Sequence, residues 1–181
     1  MKTLIILSLL ISTMATSSYK IDFGTSKHGD EWVIVNDGVM GGQSESKARM
    51  LENSIIFEGF ISLRNNGGFA SLRNQGEKID ISEFSHVKIR FKTNTQRKFS
   101  FRLSAHNAFY RPFYKHEFGA KNNEWNTVIM KLTDFKQYNL SGETGRWLNS
   151  KEMLNDFRMG IILYDKQEGS FEIEIDIIEF Y

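Results

Sequence analysis

Apolar side chains recur at every second position of this chain, and that alternation limits its possible folds more than any other feature. Phe171, Ile173, Ile175 and Ile177 alternate with Glu172, Glu174 and Asp176. Val87, Ile89 and Phe91 alternate with Lys88, Arg90 and Lys92, and Phe99, Phe101 and Leu103 with Ser100, Arg102 and Ser104. Successive side chains of a strand point to opposite faces, so each run predicts a strand with one face in a core. Residues 31–35, 54–63, 69–73, 125–132 and 157–164 read as further strands, and only 150–155 reads as a short helix. About nine or ten strands at roughly ten-residue spacing predict an all-β sandwich or jelly roll. Asn65-Asn66-Gly67-Gly68 reads as a type I′ turn, which makes 54–63 and 69–73 the two arms of one hairpin, with Gly59 marking a bulge.

At 181 residues the chain fits one domain. A domain of that size buries ~70% of its unfolded surface, so it needs neither disulfide nor metal to hold together. It has no cysteine, which removes disulfides, thiolate catalysis and cysteine-based metal centres. Its 23 basic and 22 acidic residues nearly cancel, which argues against nucleic acid as a partner.

Residues 1–18 have the layout of a secretory signal peptide. Lys2 gives a weakly positive start, residues 4–11 are apolar apart from Ser8, and Thr13-Met14-Ala15 offers small residues for cleavage. The apolar run is far short of the ~20 residues of a membrane span. The expectation is an exported protein, periplasmic or extracellular if bacterial, with its folded domain over residues 19–181.

Catalytic signatures are absent from the sequence. There is no G-x-S-x-G elbow, and His116-Glu117 does not continue into a zinc-binding repeat. His28, His86, His106 and His116 have no metal-ligand spacing, and no cofactor is expected. Asp22 and Asp176 are the pair with which a structural calcium would be sought. The basic residues Lys88, Arg90, Lys92 and Arg102 could face an anion, but overall neutrality favours a solvated outer sheet face.

Two segments ask for more than packing. In WVIVNDGVMGGQS, residues 32–44, Gly38, Gly41 and Gly42 make a loop that is costly to order. It reads either as a connection with Trp32 and Met40 plugged into the core, or as a loop that meets another surface. In HNAFYRPFYKHEF, residues 106–118, neighbouring aromatics must point to opposite faces, so some rings lie outside the core. Those rings would either cover a sheet edge or, with Arg111, stack on a sugar or a partner chain.

Trp32, Asn36-Asp37, Val39-Met40-Gly41-Gly42 and Ser44 resemble the most recognisable motif of the complex I intermediate-associated protein 30 family. Asn65-Asn66-Gly67-Gly68-Phe69-Ala70-Ser71 with Arg73 resembles its second motif. Weaker likenesses at Trp125, Phe135, Gly145-Arg146, residues 160–165 and the closing strand extend the resemblance to about residues 19–181. Lys131-Leu132 departs from the isoleucine-proline-like pair common in relatives. The resemblance implies a galactose-binding-like jelly roll and a non-enzymatic, chaperone-like role in assembling NADH:ubiquinone oxidoreductase.

The primary functional expectation is therefore a non-catalytic module that binds an unknown protein partner. The alternative is an exported carbohydrate-binding module. Candidate binding residues are Asn36, Asp37, Met40, Gly41, Gly42, Ser44, Asn65, Asn66, Gly67, Gly68, Arg73, Tyr110, Arg111 and Tyr114, with no catalytic or metal residue among them. A sugar would need Tyr110 or Tyr114 exposed beside Asn107 and Arg111.

Overall fold

Each alternating run forms a strand, and the strands stack as two antiparallel sheets. The computed structural model describes residues 17–24, 31–76, 78–106, 108, 110–120 and 123–181. The expected signal segment falls almost wholly on residues 1–16, outside the described residues, as do His28, Asn107 and Phe109. In chain order the strands are β1 (Tyr19–Asp22), β2 (Trp32–Asn36), β3 (Glu45–Met50), β4 (Ile55–Ile61), β5 (Ala70–Asn74), β6 (Ile79–Asp80) and β7 (His86–Thr93). They continue as β8 (Phe99–Ser104), β9 (Phe113–Phe118), β10 (Asn126–Lys131), β11 (Lys136–Asn139), β12 (Gly142–Trp147), β13 (Asp156–Leu163) and β14 (Gly169–Phe180). One helical turn, α1 (Ser150–Met153), starts at Asn149, whose side chain caps the amides of Lys151 and Glu152. No described helix is long and apolar enough to cross a membrane.

The first sheet runs β10-β7-β14-β4-β3, with β1 added alongside β14. The second runs β12-β11-β9-β8-β13-β5-β2, with β6 added alongside β13. Phenylalanine rings fill the gap between them. Phe99 of β8 meets Phe171 of β14 at 6.3 Å, Phe101 meets Phe180 at 6.0 Å, and Phe91 of β7 meets Phe118 of β9 at 5.0 Å. Each fully buried ring contributes ~1.5–3 kcal/mol through its area alone. Trp32 is also buried and packs edge-on against Phe23; its Nε1 is the one buried side-chain polar atom among the described residues without a partner.

Three expectations need correction. Residues 54–63 and 69–73 are not arms of one hairpin: β4 pairs with β3 and β14, while β5 pairs with β2 and β13. The asparagine–glycine segment therefore carries the chain from one sheet to the other. Gly59 sits in an unbroken register, and shifts lie instead between Lys136 and Tyr138 of β11 and, in β14, between Ile175 and Ile177. The latter shift takes Ile177 out of the fully buried row and brings Ile178 and Phe180 into it.

Another connection between the sheets is held by charge. Arg97, between β7 and β8, grips Asp165 with Nε and Nη2 at 2.7 and 2.8 Å. It also donates to the carbonyls of Gln167, between β13 and β14, and of Gly169 and Ser170, the first two residues of β14. Burial alone would raise the Asp165 carboxyl, but the Arg97 guanidinium outweighs it and holds it below the ordinary range. Asp165→Ala would leave Arg97 buried and unpaired, and should lower stability by about 3–5 kcal/mol in urea unfolding. Replacing both partners by apolar residues of similar volume should recover most of that loss.

Candidate functional site

The outer faces of the two sheets differ. On the first, Lys88, Arg90 and Lys92 of β7 pair with Glu179, Asp176 and Glu174 of β14, which gives the solvated face expected for those three. Arg102 does not belong with them. It lies on β8 of the second sheet, and only 7% of it is exposed. Every residue of β8 is buried, on both faces. The outer face of the second sheet is therefore covered by long side chains and flanking loops.

That cover leaves a groove of about 160 Å³ lined by Val35, Val39, Met40, Phe69, Arg73, Arg102, Phe113, Asn139, Leu140, Ile162 and Tyr164. Drug-sized ligands are enclosed in pockets of ~300 Å³ or more, so this hollow suits one unit of a chain-like ligand. Its floor follows from strand register. Val33, Arg73, Gly160, Arg102, Lys115, Lys136 and Trp147 oppose one another in a single row across β2, β5, β13, β8, β9, β11 and β12. Gly160 has no side chain to separate the two arginines; a Cβ there would lie 2.8 Å from the Leu72 carbonyl oxygen and 3.3 Å from Cγ of Arg73.

Aromatic rings stand around the arginines. The Arg102 guanidinium lies 4.4 Å from the Phe113 ring, and Phe113 stacks on Tyr138 at 6.1 Å and 24°. Tyr164 is exposed on the opposite wall, with Phe69 edge-on to it. Burial, reinforced by the charge of Glu143, pushes the Tyr138 phenol up to about 12, so it stays a neutral donor to Glu143 at 3.2 Å. Burial, reinforced by the charge of Arg73, pushes Arg102 down to about 9, which still leaves it a cation at neutral pH. Burial also lowers Arg73. A larger hollow of about 460 Å³ lies at the strand ends near Arg97, Lys98, Phe118 and Gly119, away from this row.

The two glycine-bearing motifs meet at Asp37, which is 1% exposed. Its carboxylate accepts from Ser44 N at 2.9 Å, Ser44 Oγ at 2.5 Å, Gly68 N at 2.5 Å and Phe69 N at 3.2 Å. Ser44 Oγ in turn accepts from Ser62 N. Asp37 and Ser44 lie between β2 and β3, and Gly68 and Phe69 between β4 and β5, so one carboxylate fastens two crossings from sheet to sheet. A Cβ on Gly42 would come within 2.3 Å of Asp37 Cγ, and one on Gly67 within 2.6 Å of its Oδ2. Those two glycines are required by the approach of the carboxylate. Asn36 accepts from Ser46 Oγ, and Asn65 donates to the Gly41 carbonyl. Asn65, Asn66 and Gly41 take positive φ to make the turns.

Of the expected binding residues, only Met40 and Arg73 line the groove. Asn36, Asp37, Gly41, Gly42, Ser44, Asn65, Asn66, Gly67 and Gly68 build the fastening that shapes its wall. Met40 is exposed rather than plugged into the core. Tyr114 is a correction: it faces the core and accepts from Gln137 Nε2 at 2.9 Å, because its neighbour Phe113 takes the outward position. Tyr110 and Arg111 are exposed before β9 and do not line the groove. Asp22 pairs with Lys20, and Asp176 with Arg90. Among the described residues no cluster of three acidic, histidine or cysteine side chains could hold a metal.

A two-sheet antiparallel jelly roll is the architecture of galactose-binding-like domains. Solved structures share the fold. The family 11 carbohydrate-binding module of the cellulosomal cellulase Lic26A-Cel5E of Clostridium thermocellum is 12% identical with a TM-score of 0.66, over 92% of this chain and 95% of that one. The Clostridium thermocellum family 11 module in complex with a β-1,3-1,4-mixed-linked tetrasaccharide gives a TM-score of 0.64 at 12% identity, over 92% and 96%. An agarase, AgWH50C, matches with a TM-score of 0.60 and 7% identity over 90% of this chain, which corresponds to 24% of the agarase. No curated protein matches the sequence. The family model for complex I intermediate-associated protein 30 matches residues 21–175, and the chain belongs to that family.

Burial alone would raise the Asp37 carboxyl; the hydrogen bonds from Ser44, Gly68 and Phe69 outweigh it and hold it below its ordinary value. Its stabilisation is therefore complete above the unfolded-state value near ~3.9 and is lost as pH falls through the lower native value. Asp37→Asn should cost about 2–4 kcal/mol at neutral pH. The gap between wild type and variant in urea unfolding should narrow below about pH 4.

Proposed function

We propose that this protein is a non-catalytic module that binds a glycan in the groove across the outer face of its second sheet. The observation that carries the reading is the pairing of exposed or half-exposed rings, Tyr164 and Phe113, with the donors of Arg73 and Arg102 in one open furrow. Sugar rings present C–H faces that pack on aromatic rings and hydroxyl edges that need polar partners, so such a surface suits them. The fold supports the reading: one structural relative was solved with a tetrasaccharide bound. Export through residues 1–18 would bring the groove to extracellular or periplasmic glycans.

Family membership supports a second reading, capture of a protein partner as in respiratory-complex assembly. Val39 and Met40 stand exposed at the groove rim and would be the apolar contacts of such a partner. A partner held by the wild type and released by Met40→Asp, with no glycan retained, would favour it.

Affinity electrophoresis and calorimetry over a glycan panel test the glycan reading. Phe113→Ala and Tyr164→Ala should each weaken binding by about 1–2 kcal/mol, or roughly 5–30-fold. Trp125→Ala, on the outer face of the first sheet, should leave it unchanged. No retention at millimolar glycan, or full binding by both groove variants, would overturn the proposal.

A further inference from the structure

We infer that the glycan is acidic, and that Arg73 and Arg102 together hold the carboxylate or sulfate of one sugar unit. The inference rests on the glycan reading above and names the chemistry that the groove selects.

Arg102 is 7% exposed, yet its guanidinium, which reaches the groove, has no hydrogen bond or ion pair with any described residue and lies against the Phe113 ring. Arg73 donates from Nε to Ser71 Oγ and meets no carboxylate among the described residues. Elsewhere the chain satisfies its buried cations. Arg97, equally buried, spends its donors on Asp165 and three carbonyls. In the same cross-strand row, Lys115 lies 3.6 Å from Glu117 and Lys136 lies 3.1 Å from Glu143. The three cations of β7 are matched one for one. Among the described residues, the buried positive charge that lacks a carboxylate partner thus lies on the groove floor, beside Gly160.

A guanidinium offers a planar fork that fits a carboxylate or sulfate with two hydrogen bonds, and the low dielectric of the site strengthens them. The depression of both arginines has the direction expected where a counter-anion is wanting. The surroundings supply room for a sugar on the aromatic side and for little more than water on the other, a hollow of about 40 Å³. The aromatic hollow ends at Arg73 and Arg102, and the same two residues open a second, polar hollow lined by Asn74, Ser104, His106 and Arg158. An anionic group at the arginines would place the neighbouring sugar against Tyr164 and Phe113.

The test measures binding of the protein to oligosaccharides of alginate, carrageenan, mixed-linked β-glucan and agarose. The acidic pair should bind at least about 10-fold more tightly than the neutral pair, and preference between alginate and carrageenan identifies carboxylate or sulfate. Arg102→Met should weaken acidic binding by about 30-fold or more, Arg102→Lys should restore part of it, and the free Arg102→Met protein should melt no lower than wild type. Should Arg102→Met fail to fold, Arg73→Gln carries the same expectation. Lys131→Gln, on the other sheet, should change nothing; an equal loss there would reduce the effect to diffuse charge and overturn the inference. Neutral glycans bound as tightly and indifferent to both arginine variants would overturn it while the groove reading stood. No glycan of either class retained would remove the groove reading as well.

Discussion

The carboxylate of Asp37 fixes how the two sheets are joined. Between β2 and β3 the chain leaves the second sheet, and between β4 and β5 it returns. The backbone amides at both crossings would lie unpaired under the loops, and an unpaired buried amide costs ~1–3 kcal/mol. One ionised side chain satisfies three of them and a hydroxyl besides. The demand for bare glycine at 42 and 67 follows directly, because a β-carbon at either site would occupy the space of the carboxylate. Arg97 and Asp165 do the equivalent work where β7 passes to β8 and β13 to β14. At these four passages ladder bonding stops, and charged groups take its place.

The groove depends on that joinery. Val39 and Met40 rise from the loop that Asp37 closes, and Phe69 follows the glycine whose amide it binds. With both crossings pinned, the walls keep a fixed distance from the arginine row on the sheet. On the other outer face the cations of β7 are paired strand to strand with β14.

Alternation made the sandwich legible, since Val87 to Phe91, Phe99 to Leu103 and Phe171 to Ile175 each bury the expected face. Alternation gives a face but not a partner, which is why β4 and β5 read as one hairpin although they lie in different sheets. It also cannot anticipate a register shift such as the one after Ile175. The glycine motifs drew attention for a sound physical reason, costly backbone order, but the surface that required it was an internal carboxylate. Arg102 was hidden because its meaning lies across strands: Gly160 and Lys115 oppose it from distant parts of the chain. Phe113 could have been placed from parity alone, since Phe118 points inward and residues at odd spacing from it point out.

Fastening and reading overlap only in part in this molecule. Met40, Phe69 and Arg73 belong to both sets, but the glycines of the family motifs pin the crossings, whereas Arg102, Phe113 and Tyr164 on the groove lie outside those two motifs. Descendants could exchange those few side chains and change their cargo while every signature glycine stayed in place.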